Sequence, residues 1–296
     1  MSTRRAAGFT LVELIAVMVL SAILALVVWR NISAPIRSFV DLQRRAELVD
    51  AGDTALSRMN RELKLALPNS VRVAADGTAI EFLRTVTGGR YRAQAAPSGG
   101  GPILDFTTSS GSFQVLGGLP NGETVRSGGG GRAACLAGSV DCVVVFNTGQ
   151  PADCTGGAVG SRTNAWCGDN VAGLSSIDLA TGTLGFDRAD AGTPLPFPSA
   201  EQRFHVVDTP VSYVCDGGVL TRHANYPIPA AMSVPPAGGT SARLAGHLES
   251  CEFTYVAGTA TRAALVTIRL RLSDQTPEGE TETVTLFGQT HVPNVP

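Results

Sequence analysis

The sequence has no excess of charge of either sign. Its 23 lysine and arginine residues nearly balance its 25 aspartate and glutamate residues, so the formal net charge is −2. Proteins that bind nucleic acids or other polyanions usually carry a basic excess or a basic patch. We therefore expect no nucleic acid among the partners of this protein.

Catalytic and nucleotide-binding motifs are also lacking. The sequence contains neither H-E-x-x-H nor G-x-S-x-G, and no Gly-Lys-Ser or Gly-Lys-Thr follows the glycine run at 128–131. The four histidines, His205, His223, His247 and His291, are scattered among predicted strands. Only His205 and His223 are expected to come near each other, on facing strands of a hairpin. A catalytic histidine needs a nucleophile or a second metal ligand beside it. We therefore predict no enzyme, no catalytic residue and no cofactor.

Spacings typical of a metal site are missing too. Structural zinc sites usually contain closely spaced cysteines of the C-x-x-C kind, and the sequence has none. The run Asp-Arg-Ala-Asp at 187–190 lacks the alternating acidic positions and the distal glutamate of a calcium loop. We expect a solvated turn at 187–190 and no bound metal.

One long hydrophobic run is present at the N-terminus. From position 9 to position 29 there are 21 residues, and Glu13 is the only charged one. A helix of that length spans roughly the 30 Å of a bilayer's hydrocarbon core. Arg4 and Arg5 precede the run, and basic residues mark the end that stays in the cytoplasm. We predict a membrane-spanning helix at 9–30, with the remainder of the chain outside the cytoplasm.

Glu13 is unusual inside such a run. A carboxylate at mid-bilayer costs about 2.5 to 3.5 kcal/mol on insertion scales, so it needs a partner or a function. The residues leave two interpretations open. Either Glu13 extends to the lipid headgroups from the end of the helix, or it pairs with a buried cation.

The N-terminal pattern resembles the type III signal of type IV pilins and type II secretion pseudopilins. The resemblance covers the sequence Gly-Phe-Thr-Leu-Val-Glu-Leu at 8–14 and the apolar run that follows it. It implies a leader at 1–8, cleavage by a prepilin peptidase after Gly8, and N-methylation of the new terminus at Phe9. It also implies that Glu13 neutralises the N-terminus of a neighbouring subunit during assembly.

Residues 31–67 are predicted to continue as an amphipathic helical stem. Apolar residues recur at steps of three and four, and charged residues occupy the other face, with Asp41–Arg45 and Arg58–Glu62 at the spacing of helical ion pairs. Pro35 predicts a kink, and Pro68 predicts the end of the helix. The apolar positions are Phe39, Leu42, Ala46, Val49, Leu56, Met59 and Leu63.

From residue 71 the hydrophobic period changes to two, which predicts strands. We therefore predict an α+β protein whose domain at 71–296 is large, antiparallel and β-rich, as in pilins and pseudopilins. Its strands fall into two blocks, about 71–150 and 203–296, with a loop-rich segment at 148–198 between them. The predicted strands are 80–86, 103–106, 113–116, 143–146, 204–207, 211–215, 219–222, 244–248, 251–256, 263–272 and 281–287.

All six cysteines lie after residue 130. An even number of cysteines outside the cytoplasm is typical of disulfide bonds. Loop lengths and strand context favour the pairs Cys135–Cys142, Cys154–Cys167 and Cys215–Cys251, although the sequence leaves other pairings open.

A second resemblance, to the minor pilins of MSHA (mannose-sensitive haemagglutinin) type IV pili, rests on the stem and on two strands. It involves residues 35–36, 44–48, 53–56, 65–73, 211–215 and 251–255. It implies an inner-membrane protein with a periplasmic domain that joins other minor pilins and the major pilin at the assembly platform. Such a subunit primes or caps the filament and becomes part of the extracellular pilus.

Three other functions stay open at this point. The same signal and length suit a minor pseudopilin of a type II secretion system. The glycine-rich loops between 88 and 200 suit an adhesive module at a pilus tip. A membrane-anchored enzyme would need clustered polar groups that the sequence does not reveal.

Overall fold

The computed structural model of the chain describes residues 10–95, 99–155, 162–259, 262–276 and 279–294, with residues 32–38 described by their backbone alone. In this part of the chain a long helix, α1 (Leu11–Leu63), is followed by twelve β-strands and a short helix, α2 (Gly131–Leu136). The strands form one sheet of nine and one of three, and all pairings between them are antiparallel. The predicted α+β architecture, an apolar N-terminal helix followed by a large antiparallel β-rich domain, is thus observed.

Helix α1 passes through position 35 and ends at Leu63, four residues before the predicted end. The reason lies in the residues that follow. The carbonyl oxygen of Leu65 accepts from the N–H of Thr85 at 2.8 Å, and the N–H of Leu67 donates to the carbonyl oxygen of Leu83 at 2.8 Å. The chain therefore leaves the helix to pair with a strand. The side chain of Pro35, at the predicted kink, lies outside the described residues.

The larger sheet has the strand order β1-β2-β3-β6-β5-β4-β7-β8-β9, with an additional pairing between β2 and β7. Because β2 pairs with both β3 and β7, the six strands β2, β3, β6, β5, β4 and β7 close into a barrel. The other halves of β2 and β7 continue into an open sheet with β1, β8 and β9. The strands are β1 (Arg72–Val73), β2 (Ala79–Tyr91), β3 (Ser110–Leu116), β4 (Cys142–Val144), β5 (Val171–Asp178), β6 (Thr183–Asp187), β7 (Arg203–Asp216), β8 (Val219–Ala224) and β9 (Thr240–Ala245).

Strands β5 and β6 lie inside the segment 148–198, where a loop was expected. Both complete the wall of the barrel, and Leu174, Leu184 and Phe186 point into its buried core. Conversely, the predicted strand at 103–106 is irregular and ends in a turn at 106–107. The carboxylate of Asp105 accepts hydrogen bonds from the N–H and the hydroxyl of Thr107, at 2.8 and 2.7 Å, which bends the chain there.

The smaller sheet has the order β10-β11-β12, with β10 (Leu248–Val256), β11 (Ala264–Gln275) and β12 (Thr281–Val292). The predicted strand at 244–248 therefore spans the break between β9 and β10. The C-terminal part of helix α1 packs between this sheet and the open part of the larger one. The shared core contains Leu56, Met59 and Leu63 from the helix, Phe82 and Tyr213 from the larger sheet, and Ile268 and Leu270 from the smaller one.

All six cysteines form disulfide bonds, and the pairs are those that the loop lengths favour. Cys215 of β7 is bonded to Cys251 of β10, so this bond joins the two sheets. Cys135 of helix α2 is bonded to Cys142 of β4. The third bond, Cys154–Cys167, closes a loop between β4 and β5.

Candidate functional site

Glu13 closes the N-terminus of helix α1. The hydroxyl of Thr10 accepts from the N–H of Glu13 at 3.3 Å, and the Glu13 carboxylate accepts from the N–H of Thr10 at 3.4 Å. This reciprocal pair is a capping box, and it satisfies N–H groups that have no partner within the helix. Glu13 thus has a local role in starting the helix, and its side chain remains exposed. Gly8 and Phe9, the predicted processing residues, lie outside the described residues.

The first part of helix α1 stands free of the folded body. The segment Leu11–Asn31 has a mean hydropathy of 2.9 and none of it is buried, so by length and composition it is able to cross a membrane. Its large apolar side chains are more than half exposed, as the values of 75% for Leu11 and 74% for Trp29 illustrate. An apolar surface of this extent requires lipid or other protein around it.

The predicted apolar stripe of the stem is buried in its C-terminal part and exposed in its N-terminal part. Leu56, Met59 and Leu63 are buried in the protein's own core, whereas Phe39 and Leu42 are 67% and 66% exposed. Ion pairs of Arg44 with Asp274 at 3.7 Å and of Arg45 with Glu282 at 3.8 Å mark where the helix meets the body. Exposed apolar surface therefore continues below the membrane-length segment. The expected pair Asp41–Arg45 is replaced by Asp41–Arg44, at 3.3 Å.

Glu62 anchors the end of helix α1 to the larger sheet. Its carboxylate accepts hydrogen bonds from the Tyr213 hydroxyl at 2.7 Å and from Nε of Arg222 at 2.8 Å. The expected pair with Arg58 is also present, at 3.4 Å. Burial alone would raise the pKa of Glu62, but the bonds from Arg222 and Tyr213 and the charges of Arg222 and Arg58 lower it. The sequence pattern placed Glu62 on the exposed face, and nothing local in the sequence reveals its distant partners.

The run at 187–190 is not the solvated turn that we expected. Arg188 is fully buried, and its guanidinium donates to the carbonyl oxygens of Asp169, Val171 and Thr193 at 2.7 to 3.0 Å. Burial, and to a smaller degree the charge of Arg132, lowers the pKa of Arg188 to about 10, so it stays protonated at neutral pH. Arg188 therefore ties together three stretches of backbone beside the barrel.

The structure does not bring His205 and His223 together. His223 of β8 lies opposite Ser212, whereas His205 lies between Gly88 of β2 and Val144 of β4. Burial, with a smaller effect of the Arg203 charge, lowers the pKa of His205 to about 4, so its imidazole is neutral at physiological pH.

The remaining two histidines, His247 and His291, are exposed. Nδ1 of His247 lies 3.5 Å from the Asp274 carboxylate. Within the described ranges no group of three or more histidine, cysteine, aspartate or glutamate residues is placed to hold a metal ion.

Comparison with known proteins agrees with the N-terminal geometry. A family profile described as the prokaryotic N-terminal methylation motif matches residues 3–29, which contain Glu13 and nearly all of the exposed apolar helix. Neither a curated protein nor a solved structure matches the chain significantly. The methylation motif, the apolar helix and the attached antiparallel β-rich body support a type IV pilin-like protein, that is, a pilin or pseudopilin subunit.

Proposed function

We propose that this protein is a minor type IV pilin of the MSHA kind, similar to the biogenesis protein MshO, and that it helps to prime or cap pilus assembly. The observation that supports a pilin-type subunit is the methylation motif on a helix whose apolar surface is left uncovered by the protein's own body. The MSHA part of the proposal rests on the resemblance of the stem and of two strands alone. A subunit of this shape completes its packing only in a membrane or among neighbouring helices.

The proposed maturation begins at the N-terminus. A prepilin peptidase cleaves after Gly8 and methylates the new terminus at Phe9. Glu13 then pairs with the terminal ammonium of a neighbouring subunit, because a buried carboxylate and a buried ammonium offset each other's desolvation only when paired. The capping box is compatible with this role, since the Glu13 side chain stays exposed for a second partner.

Before assembly, we place the protein in the inner membrane, with its N-terminus in the cytoplasm and its β-rich domain in the periplasm. The three disulfides support an oxidising compartment for that domain. Its proposed partners are the other minor pilins, the major pilin and the inner-membrane assembly platform. Incorporation would carry it to the extracellular pilus.

The test is mass spectrometry of filaments sheared from native cells. We expect the protein to be present, with an N-terminal peptide that begins at a methylated Phe9. A Gly8→Val variant supplies the control, because it should keep its first eight residues and stay out of the filaments. An uncut N-terminus in the native protein would remove the basis of the proposal.

A minor pseudopilin of a type II secretion system is the second candidate, because the same motif serves both systems. The two functions differ in where the processed protein is found. A methylated terminus that occurs only in the membrane fraction, together with loss of a secreted protein after gene deletion, would select the pseudopilin. Loss of surface filaments after deletion would select the pilin.

A further inference from the structure

One edge of strand β2 has a stretch without a neighbouring strand, and the residues on both sides of this stretch are paired. Strand β7 covers the opposite edge from Ala79 to Arg90. On the outer edge Arg84 bridges Ala66, and Arg90 pairs with Leu116 of β3. Residues 86–89 between them have no strand partner on this edge in the described part of the chain. Because a strand rises about 3.3 Å per residue, the gap accommodates an extended segment of about three or four residues.

Two adjoining cavities lie along this gap, and both are lined by Leu65, Thr85 and Val86. The cavity nearer the end of helix α1 has a volume of about 290 Å³. The cavity nearer Arg126 has a volume of about 330 Å³. We call the surface formed by Lys64, Leu65, Thr85, Val86, Gly88 and His205 the β2 groove. Leu65 is 47% exposed and offers an apolar contact.

The wall of the β2 groove contains polar groups without partners. The hydroxyl of Thr85 and Nε2 of His205 are both buried and have no hydrogen-bond partner among the described residues. A buried polar atom without a partner costs free energy, so an incoming polar group that reaches it is favoured. Both residues line the cavity nearer the end of helix α1.

The charge of the groove favours an acidic occupant. Lys64 is exposed at its end and forms no ion pair with any carboxylate of the described residues. No aspartate or glutamate of the described ranges lines the cavity beside it. In the other cavity the charges are already compensated, because Arg84 pairs with Asp208 and Arg126 pairs with Asp141. Three cationic side chains, Lys64, Arg84 and Arg126, thus line the two cavities, and among the described residues only Lys64 has no carboxylate partner.

We propose that the β2 groove binds an extended acidic peptide segment of a partner protein, which adds a short strand to β2 at residues 86–89 and places a carboxylate against Lys64. In this mode of recognition, backbone hydrogen bonds provide affinity and the flanking side chains provide selectivity. The groove lies at the far end of helix α1 from the methylation motif. The proposal therefore does not depend on pilin-type assembly.

The test uses the full-length protein in detergent micelles and fluorescently labelled five-residue peptides. The probes carry a central glutamate flanked by valine and threonine, with the flanking order varied across a small set. Each has two matched controls, one with glutamine in place of glutamate and one with N-methyl groups on alternate backbone nitrogens. Fluorescence anisotropy should show saturable binding of the glutamate peptides. Replacement by glutamine should weaken binding about tenfold, and N-methylation should abolish it because the strand loses its donors.

A protein variant completes the experiment. Lys64→Gln should weaken the binding of the glutamate peptides about tenfold and leave the binding of the glutamine peptides unchanged, because only the charged pair is lost. Arg61→Gln, which removes a cation one turn earlier in helix α1, is the matched control and should bind like the native protein. The proposal is overturned if no peptide of the set binds, if the N-methylated peptides bind equally well, or if the preference for glutamate survives in Lys64→Gln. None of these results would affect the assignment of the N-terminal helix.

Discussion

The Tyr213 hydroxyl donates to the Glu62 carboxylate at 2.7 Å, and this bond fastens the end of helix α1 to strand β7. The helix carries the exposed apolar segment Leu11–Asn31, whereas the strand belongs to both the barrel and the open sheet. A force on the stem therefore reaches the body partly through this pair. Arg222 shares the same carboxylate oxygen, so removal of Glu62 would take this partner from the buried Tyr213 hydroxyl and from the partly buried Arg222.

Tyr213→Phe should lower the free energy of unfolding by about 1.5 to 3 kcal/mol, the usual contribution of a hydrogen bond to a charged group. Urea unfolding in detergent micelles measures this difference. Arg58→Gln is the matched control, because the Arg58 side chain is 41% exposed and its helical pair with Glu62 contributes about 0.5 kcal/mol or less. Equal stability of the Tyr213→Phe variant and the native protein would contradict an anchoring role for this bond.

The contribution of Glu62 should depend on pH. Because its pKa in the folded protein is below the ordinary value of 4.5, the ionised carboxylate stabilises the fold at pH above that value. That stabilisation should disappear as the pH falls through the lower, folded-state pKa. The difference in unfolding free energy between native protein and Glu62→Gln should therefore be largest at neutral pH and shrink in acid. A difference that grows in acid would show that folding raises the pKa of Glu62 instead of lowering it.

Gly173→Ala should destabilise the barrel. A Cβ at this position would lie 2.5 Å from the carbonyl carbon of Gly131 and still closer to its oxygen. Since the obstacle is backbone at the start of helix α2, we expect a loss of about 2 to 3 kcal/mol or more in unfolding free energy. Gly129→Ala is the control, because a Cβ there has no heavy atom within 4 Å. Similar melting temperatures for the two variants would contradict the close approach of Gly131 to Gly173.

The disulfide between the sheets should contribute more than the one beside helix α2. Cys215 and Cys251 are 36 residues apart, and Cys135 and Cys142 are 7 apart. In the chain-entropy description, removing the longer link costs about 4 kcal/mol and removing the shorter one about 2 kcal/mol. Paired cysteine-to-serine variants, compared by guanidinium unfolding, provide the measurement. The reverse order would show that chain entropy does not govern these bonds.

Glu13→Gln should separate the two roles of Glu13. Glutamine still closes a capping box, so the helix start should survive while the negative charge is lost. We expect normal cleavage at Gly8 and a strong loss of the protein from sheared filaments. Thr10→Ala is the complementary variant, since it removes the cap at a cost of about 1 kcal/mol but keeps the charge, and it should assemble. Normal incorporation of Glu13→Gln would exclude charge pairing as the reason for this residue.

The N-terminal features were predictable because their determinants are local. A run of apolar residues sets the helix and its membrane length, and Thr10 and Glu13 are three positions apart, as the capping box requires. Strands β10, β11 and β12 also alternate between buried and more exposed positions. The clearest case is β11, whose buried residues Val266, Ile268, Leu270 and Leu272 recur at every second position.

The barrel was not predictable from local patterns. Strand β5 contains Gly173, where the backbone of Gly131 approaches so closely that no side chain fits, and strand β6 contains Gly185, which lies against the hydroxyls of Ser175 and Ser176. These glycines remove the alternation by which a strand is predicted. The segment is a pair of strands because β3 and β4 provide partners on either side.

By itself, the sequence determined the membrane-length helix, the methylation motif and the antiparallel character of the C-terminal hairpin, since each depends on neighbours along the chain. Only the tertiary structure decided the closure of the barrel and the burial of Glu62 and Arg188. Glu62 meets Tyr213 across 151 residues and Arg222 across 160 residues. A charged residue is stable in the interior only where such distant partners replace its water, and that replacement has no local signature.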